Sequence, residues 1–351
     1  MTAVDMIGLK RKNFRKILKR KGLTVMPGGF SPLYAQLAKQ AGFECFFLAG
    51  SQLAAFLYGL PDNGIIGLRD LVDHARHMAL RADIPVLVDA DTGYGNAVNV
   101  YFTVQEVVRS GVAAMQIEDQ EAPKKSGTLA GRRCISVAEA VGKYQAAVAA
   151  RDEIDPDFAI CARCDALGAE GETFKDALKR CIAYAEKGGV DFVWLNSVQT
   201  REHLRIACRE IPVPVLTCWG GAELTPTLEE YEELGLRIIL YPTMTANAGL
   251  EAAWQLLNEL RDKGNGALAA WSDAVSRNRW GRSNRRKLLP YAKIREVEGN
   301  YLPEEKQRDY ESTWGHRTAF TLDAKPLLPG EEKARRKPGG RAAARRGRKA
   351  K

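Results

Sequence analysis

Val86-Leu87-Val88-Asp89-Ala90-Asp91-Thr92-Gly93-Tyr94-Gly95-Asn96 runs from apolar to acidic to glycine-rich within eleven residues. The apolar, largely β-branched start reads as a buried parallel strand. Asp89 and Asp91 lie two apart, so a strand continuing through both would point them to one side. Like charges that close repel, and burying either alone is costly. A divalent cation resolves both problems, and hard, oxygen-rich sites suit Mg2+ or Mn2+. The plainer alternative is a pair of solvated loop aspartates.

Outward from this strand, the same pattern repeats. Short apolar runs at 23–26, 45–49, 86–89, 112–117, 158–163, 190–195, 213–217 and 236–241 alternate with amphipathic segments. Helices are expected over 31–40, 68–81, 98–110, 137–151, 174–187, 201–209, 228–234 and 244–261. Strict alternation demands a parallel sheet, and eight units close into a (β/α)8 TIM barrel. A doubly wound open sheet is the alternative, but no G-x-G-x-x-G follows the first strand. The expected organisation is a basic N-terminal helix in 1–22, a catalytic barrel over 23–264 and a C-terminal helical extension over 265–328. The extension carries Trp271, Trp280, Tyr301 and Trp314. Residues 329–351, rich in Lys, Arg, Ala and Gly, read as a disordered basic tail.

The net charge of +9 is unevenly spread: residues 331–351 carry +8 and residues 1–22 carry +7, leaving −6 for the rest. The basic balance therefore belongs to the ends. A solvated tail is expected there, with no nucleic-acid module beside it. No apolar run is long enough to cross a bilayer and no signal-peptide pattern is present, so no membrane partner is expected. The seven cysteines are an odd number, several in apolar segments, and read as reduced thiols of a cytoplasmic protein. Cys161 and Cys164 form a C-x-x-C with no second pair to complete a zinc site.

In a barrel, the C-terminal ends of the strands converge on one rim, where active sites sit. Asp62 follows the second strand, Asp89 and Asp91 the third, and Glu118 and Asp119 the fourth, with Arg163 at the end of the fifth. Several acids and one arginine on one rim read as a metal site for an anionic substrate. A bound divalent ion would stabilise an enolate as a bond to the adjacent carbon breaks. Arg163 would hold a second anionic group bidentately, and Gly50 and Ser51, on a strand-to-loop turn, would offer backbone N–H groups.

These motifs resemble the isocitrate lyase/phosphoenolpyruvate mutase superfamily. The resemblance rests on Leu60-Pro61-Asp62, Asp89 to Asn96, Ile117 to Gln120, Lys124-Lys125-Ser126-Gly127, Ala162 to Ala166 and Leu240-Tyr241-Pro242, and spans roughly residues 10–310. It implies a barrel that binds Mg2+ and acts on small oxo- or hydroxy-acids through an enolpyruvate-like intermediate, and a homotetramer that exchanges its last barrel helix. By motif, Asp89 would be a direct metal ligand. Asp62, Asp91 and Glu118 would hold the metal directly or through its waters. Gly50 and Ser51 would bind the substrate carboxylate, and Arg163 the distal anion. The chain is nearest the methylisocitrate lyase-like branch, whose loop reads Lys-Lys/Arg-Cys-Gly-His. Here Ser126 replaces the proton-donating cysteine beside Lys125, and a hydroxyl is a poorer donor near neutral pH. Asn196 stands where those lyases carry a glutamate. Three readings follow: cleavage of a C–C bond in a small 2-oxo or 2-hydroxy dicarboxylic acid, as in an oxaloacetate decarboxylase-like or methylisocitrate lyase-like enzyme; C–P bond chemistry of the phosphonomutase or phosphonopyruvate hydrolase type; or a catalytically weakened binding protein.

Overall fold

The computed structural model describes residues 3–218, 225–277 and 288–310. Eight parallel strands close in sequence order into a barrel: β1 (Thr24–Gly29), β2 (Phe46–Leu48), β3 (Val86–Asp89), β4 (Ala114–Glu118), β5 (Ala159–Cys164), β6 (Phe192–Leu195), β7 (Val215–Thr217) and β8 (Ile238–Tyr241). The barrel expected from the alternation is the architecture found. The chain divides into two compact units, residues 1–252 and 253–351. The first contains the barrel. Within the second, α11 (Asn265–Arg277) and α12 (Tyr291–Tyr301) follow the last turns of α10 (Met244–Lys263). Trp280, Trp314 and the basic tail lie outside the described residues.

The pleat sorts each strand into two faces. Phe47, Leu87, Ala114, Cys161, Phe192, Trp194 and Leu216 fill the interior, whereas Leu48, Val86, Val88, Met115, Ile160 and Val193 pack outward with the helices. The same parity carries the polar residues. Asp89 follows the inward Leu87, Gln116 and Glu118 follow Ala114, Arg163 follows Cys161, and Asn196 follows Trp194. Cys161 and Cys164 fall on opposite faces, in different apolar clusters.

Helix α1 (Ala3–Lys19) supplies Phe14, Ile17 and Leu18 to the interior cluster, and the Phe14 ring meets Phe192 at 5.7 Å. Each such fully buried side chain contributes about 1.5–3 kcal/mol. Arg11 secures this helix by donating from Nε to the Val112 carbonyl at 3.1 Å and pairing with Asp155 at 2.5 Å. Around the barrel, α2 (Pro32–Gln40), α4 (Leu68–Arg81), α5 (Ala97–Ser110), α6 (Val137–Ile154), α7 (Phe174–Glu186), α8 (Arg201–Glu210) and α9 (Leu228–Glu233) follow the sequence pattern closely.

Two local expectations are corrected. The turn expected at Gly50-Ser51 is the start of a helix, α3 (Gly50–Tyr58), stopped by Gly59 at φ +65°. Its apolar run GSQLAAFLY carries no N-capping side chain, so glycine and serine read as a turn. The third strand also does not continue through Asp91: β3 ends at Asp89, and Asp91 takes φ +47°. Asp91 therefore reaches the rim by a left-handed turn, not by strand alternation. The Glu118 N–H donates to the Asp91 carbonyl at 2.9 Å and ties this turn to the end of β4.

Candidate metal and substrate site

The rim brings together Asp62, Asp89, Asp91 and Glu118 around one buried cation, Lys124. Its Nζ contacts Asp62, lies 2.7 Å from Asp91 Oδ1 and 3.9 Å from Glu118 Oε1, and its side chain is 2% exposed. Asp89 is fixed by three donors: the Gly50 N–H to Oδ2 at 3.2 Å, the Asp91 N–H to Oδ1 at 3.2 Å, and Gln116 Nε2 to Oδ1. Glu118 is fully buried and pairs with Arg163 Nη1 at 3.2 Å.

Burial dominates the protonation of these groups. It pushes the Asp91 carboxyl up to about 6, against the pull of Lys124. It pushes Glu118 well above the carboxylate range, against Arg163 and Lys124. Burial also works against the Lys124 charge, but Glu118, Asp91, Asp89 and Asp62 more than offset it and raise its pKa.

Several buried oxygens here make no hydrogen bond: Gln116 Oε1 and the Tyr94 hydroxyl, and both Glu118 carboxylate oxygens, which meet only the cations Arg163 and Lys124. Buried polar atoms are normally satisfied, so a cluster of such oxygens is what an ion and its waters would complete. Among the described residues no three His, Cys, Asp or Glu side chains form a ready direct coordination shell. Mg2+ keeps several waters and binds through one or two carboxylates.

A second cluster surrounds Asp165. Arg163 grips it through Nε at 3.0 Å and Nη2 at 3.2 Å, and lies over the Trp194 ring at 4.4 Å. Arg132 Nη1 reaches Asp165 at 3.2 Å, Gln120 Nε2 at 3.1 Å, and Asn196 Nδ2 also donates to it. Burial would raise the Asp165 carboxyl, but Arg163, Gln120 and Arg132 hold it below its ordinary value. Behind it, Asp119 accepts from the Asp165 N–H at 2.8 Å and from the Tyr184 hydroxyl at 2.6 Å. The guanidinium of Arg163 thus bridges both clusters.

Residues 121–133 form a loop closed at its base by the bridge between Gln120 and Cys134. Gln120 also holds Lys125 on both sides, accepting from its N–H and donating to its carbonyl, each at 3.0 Å. The Gly127 carbonyl accepts from Arg132 Nη1 at 2.7 Å, Asn196 Nδ2 at 3.1 Å and Ser197 Oγ at 3.3 Å. Ser126 lies between these anchors, its hydroxyl 3.4 Å from that of Thr128. Gly50 and Ser51 open α3 beside Asp89. Gly50's N–H is given to Asp89, and Ser51's, in the first turn, has no intrahelical acceptor.

Lys124, Gln116, Gln120, Arg132 and Asp165 were not among the residues expected to act. Strand parity would have found Gln116, which shares the inward face with Glu118. Nothing in an aperiodic loop distinguishes Lys124 from Lys125. His74 Nε2 contacts the Phe30 carbonyl, and His203 stacks on Phe174 at 4.0 Å.

A family model described as phosphoenolpyruvate phosphomutase matches residues 14–261. A 2-methylisocitrate lyase of Aeropyrum pernix is 38% identical over 252 residues, 71% of this chain and 79% of the relative. A 2,3-dimethylmalate lyase of Eubacterium barkeri is 36% identical over 289 residues, 82% of this chain and 96% of the relative. A crystal structure of phosphonopyruvate hydrolase, in complex with oxalate and Mg2+, superposes with a TM-score of 0.73 at 29% identity, over 84% of this chain and 99% of that one. With its eight-stranded barrel and acidic rim, the chain belongs to the phosphoenolpyruvate phosphomutase family.

Proposed function

We propose that the protein is a Mg2+-dependent lyase that breaks a C–C bond in a small 2-oxo or 2-hydroxy dicarboxylic acid. The observation that carries this reading is the set of buried, unsatisfied oxygens beside Asp89, in a chain whose relatives include two carbon–carbon lyases. Asp89 would bind the ion directly, with Asp62, Asp91 and Glu118 around it. Mn2+ suits the same oxygen donors. When bound, the cation supplies a Lewis acid that steadies negative charge on a substrate oxygen.

The chain's own residues supply the rest. Ser51, in the first turn of α3, offers an N–H to a substrate carboxylate where the helix dipole favours an anion. Arg163 offers its guanidinium toward a second anionic group, with Asp165 and Trp194 setting its plane. Asn196 orients the loop through Gly127 and borders the same rim. Lys125 and Ser126 sit on the loop that would cover the substrate. With a hydroxyl at 126, reactions whose enolate can take its proton from water are favoured, and decarboxylation of an oxaloacetate-like acid is the foremost of these.

The test is a Mg2+-supplemented panel of oxaloacetate, methylisocitrate, dimethylmalate and phosphonopyruvate, with pyruvate detection and an Asp89→Ala control. Metal-dependent turnover of a C–C substrate, abolished in the control, is expected. Turnover of phosphonopyruvate alone would transfer the protein to C–P chemistry. Activity retained by Asp89→Ala would remove the metal assignment, and Mn2+ binding without turnover of any acid would leave a binding protein.

A further inference from the structure

Lys124 has a seat built for it. Gly64, at φ +67°, passes its stem so closely that a Cβ there would lie 3.3 Å from Lys124 Cγ. The ammonium meets Asp62 on the connection after α3, Asp91 on the turn after β3 and Glu118 at the end of β4. It therefore ties the loop to three separate elements. Three residues further on, the Gly127 carbonyl accepts from the loop's own Arg132 and ties the loop to Asn196 and Ser197 after β6. The loop is held at two points of different kinds, one ionic and one a neutral carbonyl.

The ionic point draws on the same oxygens as the candidate metal site. An ammonium has three donors and no acceptor, so it consumes carboxylate lone pairs as a cation does. A divalent ion among Asp89, Asp91, Asp62 and Glu118 would enter beside a like charge in a buried place, where charges are weakly screened.

We propose that Lys124 is a positioning residue acting as a tethered internal cation, competing with the divalent metal for Asp62, Asp91 and Glu118. The inference rests on the reading of those acids as the metal site. It follows that metal loading without substrate weakens the hold on the Lys124 end of the loop, whereas the neutral Gly127 carbonyl keeps its donors. Metal affinity and loop order are then opposed in the absence of substrate.

The experiment measures Mn2+ binding to the full chain without substrate, following free Mn2+ by its paramagnetic resonance signal. Lys124→Met, which keeps the stem and removes the charge, is expected to bind Mn2+ about tenfold more tightly, on the scale typical of outer residues at metal sites. Lys124→Arg, which restores a cation, is expected to return toward the original affinity. Equal or weaker binding by Lys124→Met overturns the proposal. A second measurement needs no variant: Mn2+ should speed amide hydrogen exchange over residues 121–129 of the unaltered protein while leaving α6 unchanged. Unchanged or slowed exchange there overturns it too. Failure of the original chain and both variants to bind Mn2+ would instead remove the metal site, and the inference with it.

Discussion

At the scale of single residues, the site turns on what burial does to charge. Asp91 must be ionised to hold a metal, and its carboxyl is pushed up to about 6 by burial. Lowering the pH through that value neutralises it. Mn2+ affinity is therefore expected to fall below about pH 6, by about tenfold per pH unit for one proton in competition with the ion. A flat affinity between pH 5 and 7.5 would show that Asp91 takes no part. On the proposed reading, Ser126 would govern proton supply. Ser126→Cys places a thiol of ordinary pKa near 8.5 on the loop. It is expected to raise methylisocitrate or dimethylmalate cleavage by about 100-fold, the low end of general acid catalysis. Steady-state rates on both acids check this, and no change would mean that the hydroxyl at 126 does not limit those reactions. Most of the residues brought together were legible in the sequence, because Asp89, Glu118, Arg163 and Asn196 sit at strand ends where pleat parity fixes their direction. Lys124 and Arg132 were not, because a loop has no period from which to read which side chain turns inward.

At the scale of elements, the loop and the strand ends are complementary surfaces with no spare room. A Cβ at Gly127 would stand 2.1 Å from Arg163 Nη2 and 2.8 Å from Asn196 Nδ2. Gly127→Ala must therefore displace the loop, the guanidinium or both. Turnover is expected to drop about 100-fold, the cost of misplacing reacting groups by roughly 1 Å. The melting temperature should stay close to the original, since the barrel packing is untouched; a large thermal loss with full turnover would refute this account. The strands and most helices could be anticipated because each is a local alternation of apolar and polar residues. Helix α3 escaped because its start lacks a capping side chain and resembles a turn.

At the scale of the whole molecule, helix α10 keeps large apolar side chains in water. On α10, Leu250, Trp254 and Leu257 fall at helical spacing and are 59%, 64% and 61% exposed. Apolar groups of that size left on one face mark a surface that another protein covers. We propose that a second copy of the chain covers it, within the homotetramer expected from the family resemblance. Light scattering on the full chain is expected to give a multiple of the 38.7 kDa chain mass. Trp254→Glu should lower that mass while preserving the circular dichroism of the barrel; a 38.7 kDa particle for the original chain would dismiss the assembly. Among the described residues no helix is long and apolar enough to cross a membrane.

The Gly127 anchor separates two properties that are usually mutated together. Arg132, Asn196 and Ser197 hold a backbone carbonyl, an atom every residue possesses, so the closure of the loop is indifferent to the side chain next door. Residue 126 can pass between hydroxyl and thiol without loosening the cover it sits on. If residue 126 supplies the proton, as proposed, the scaffold could trade that donor, and with it the set of acids cleaved, without altering the carbonyl that anchors the loop.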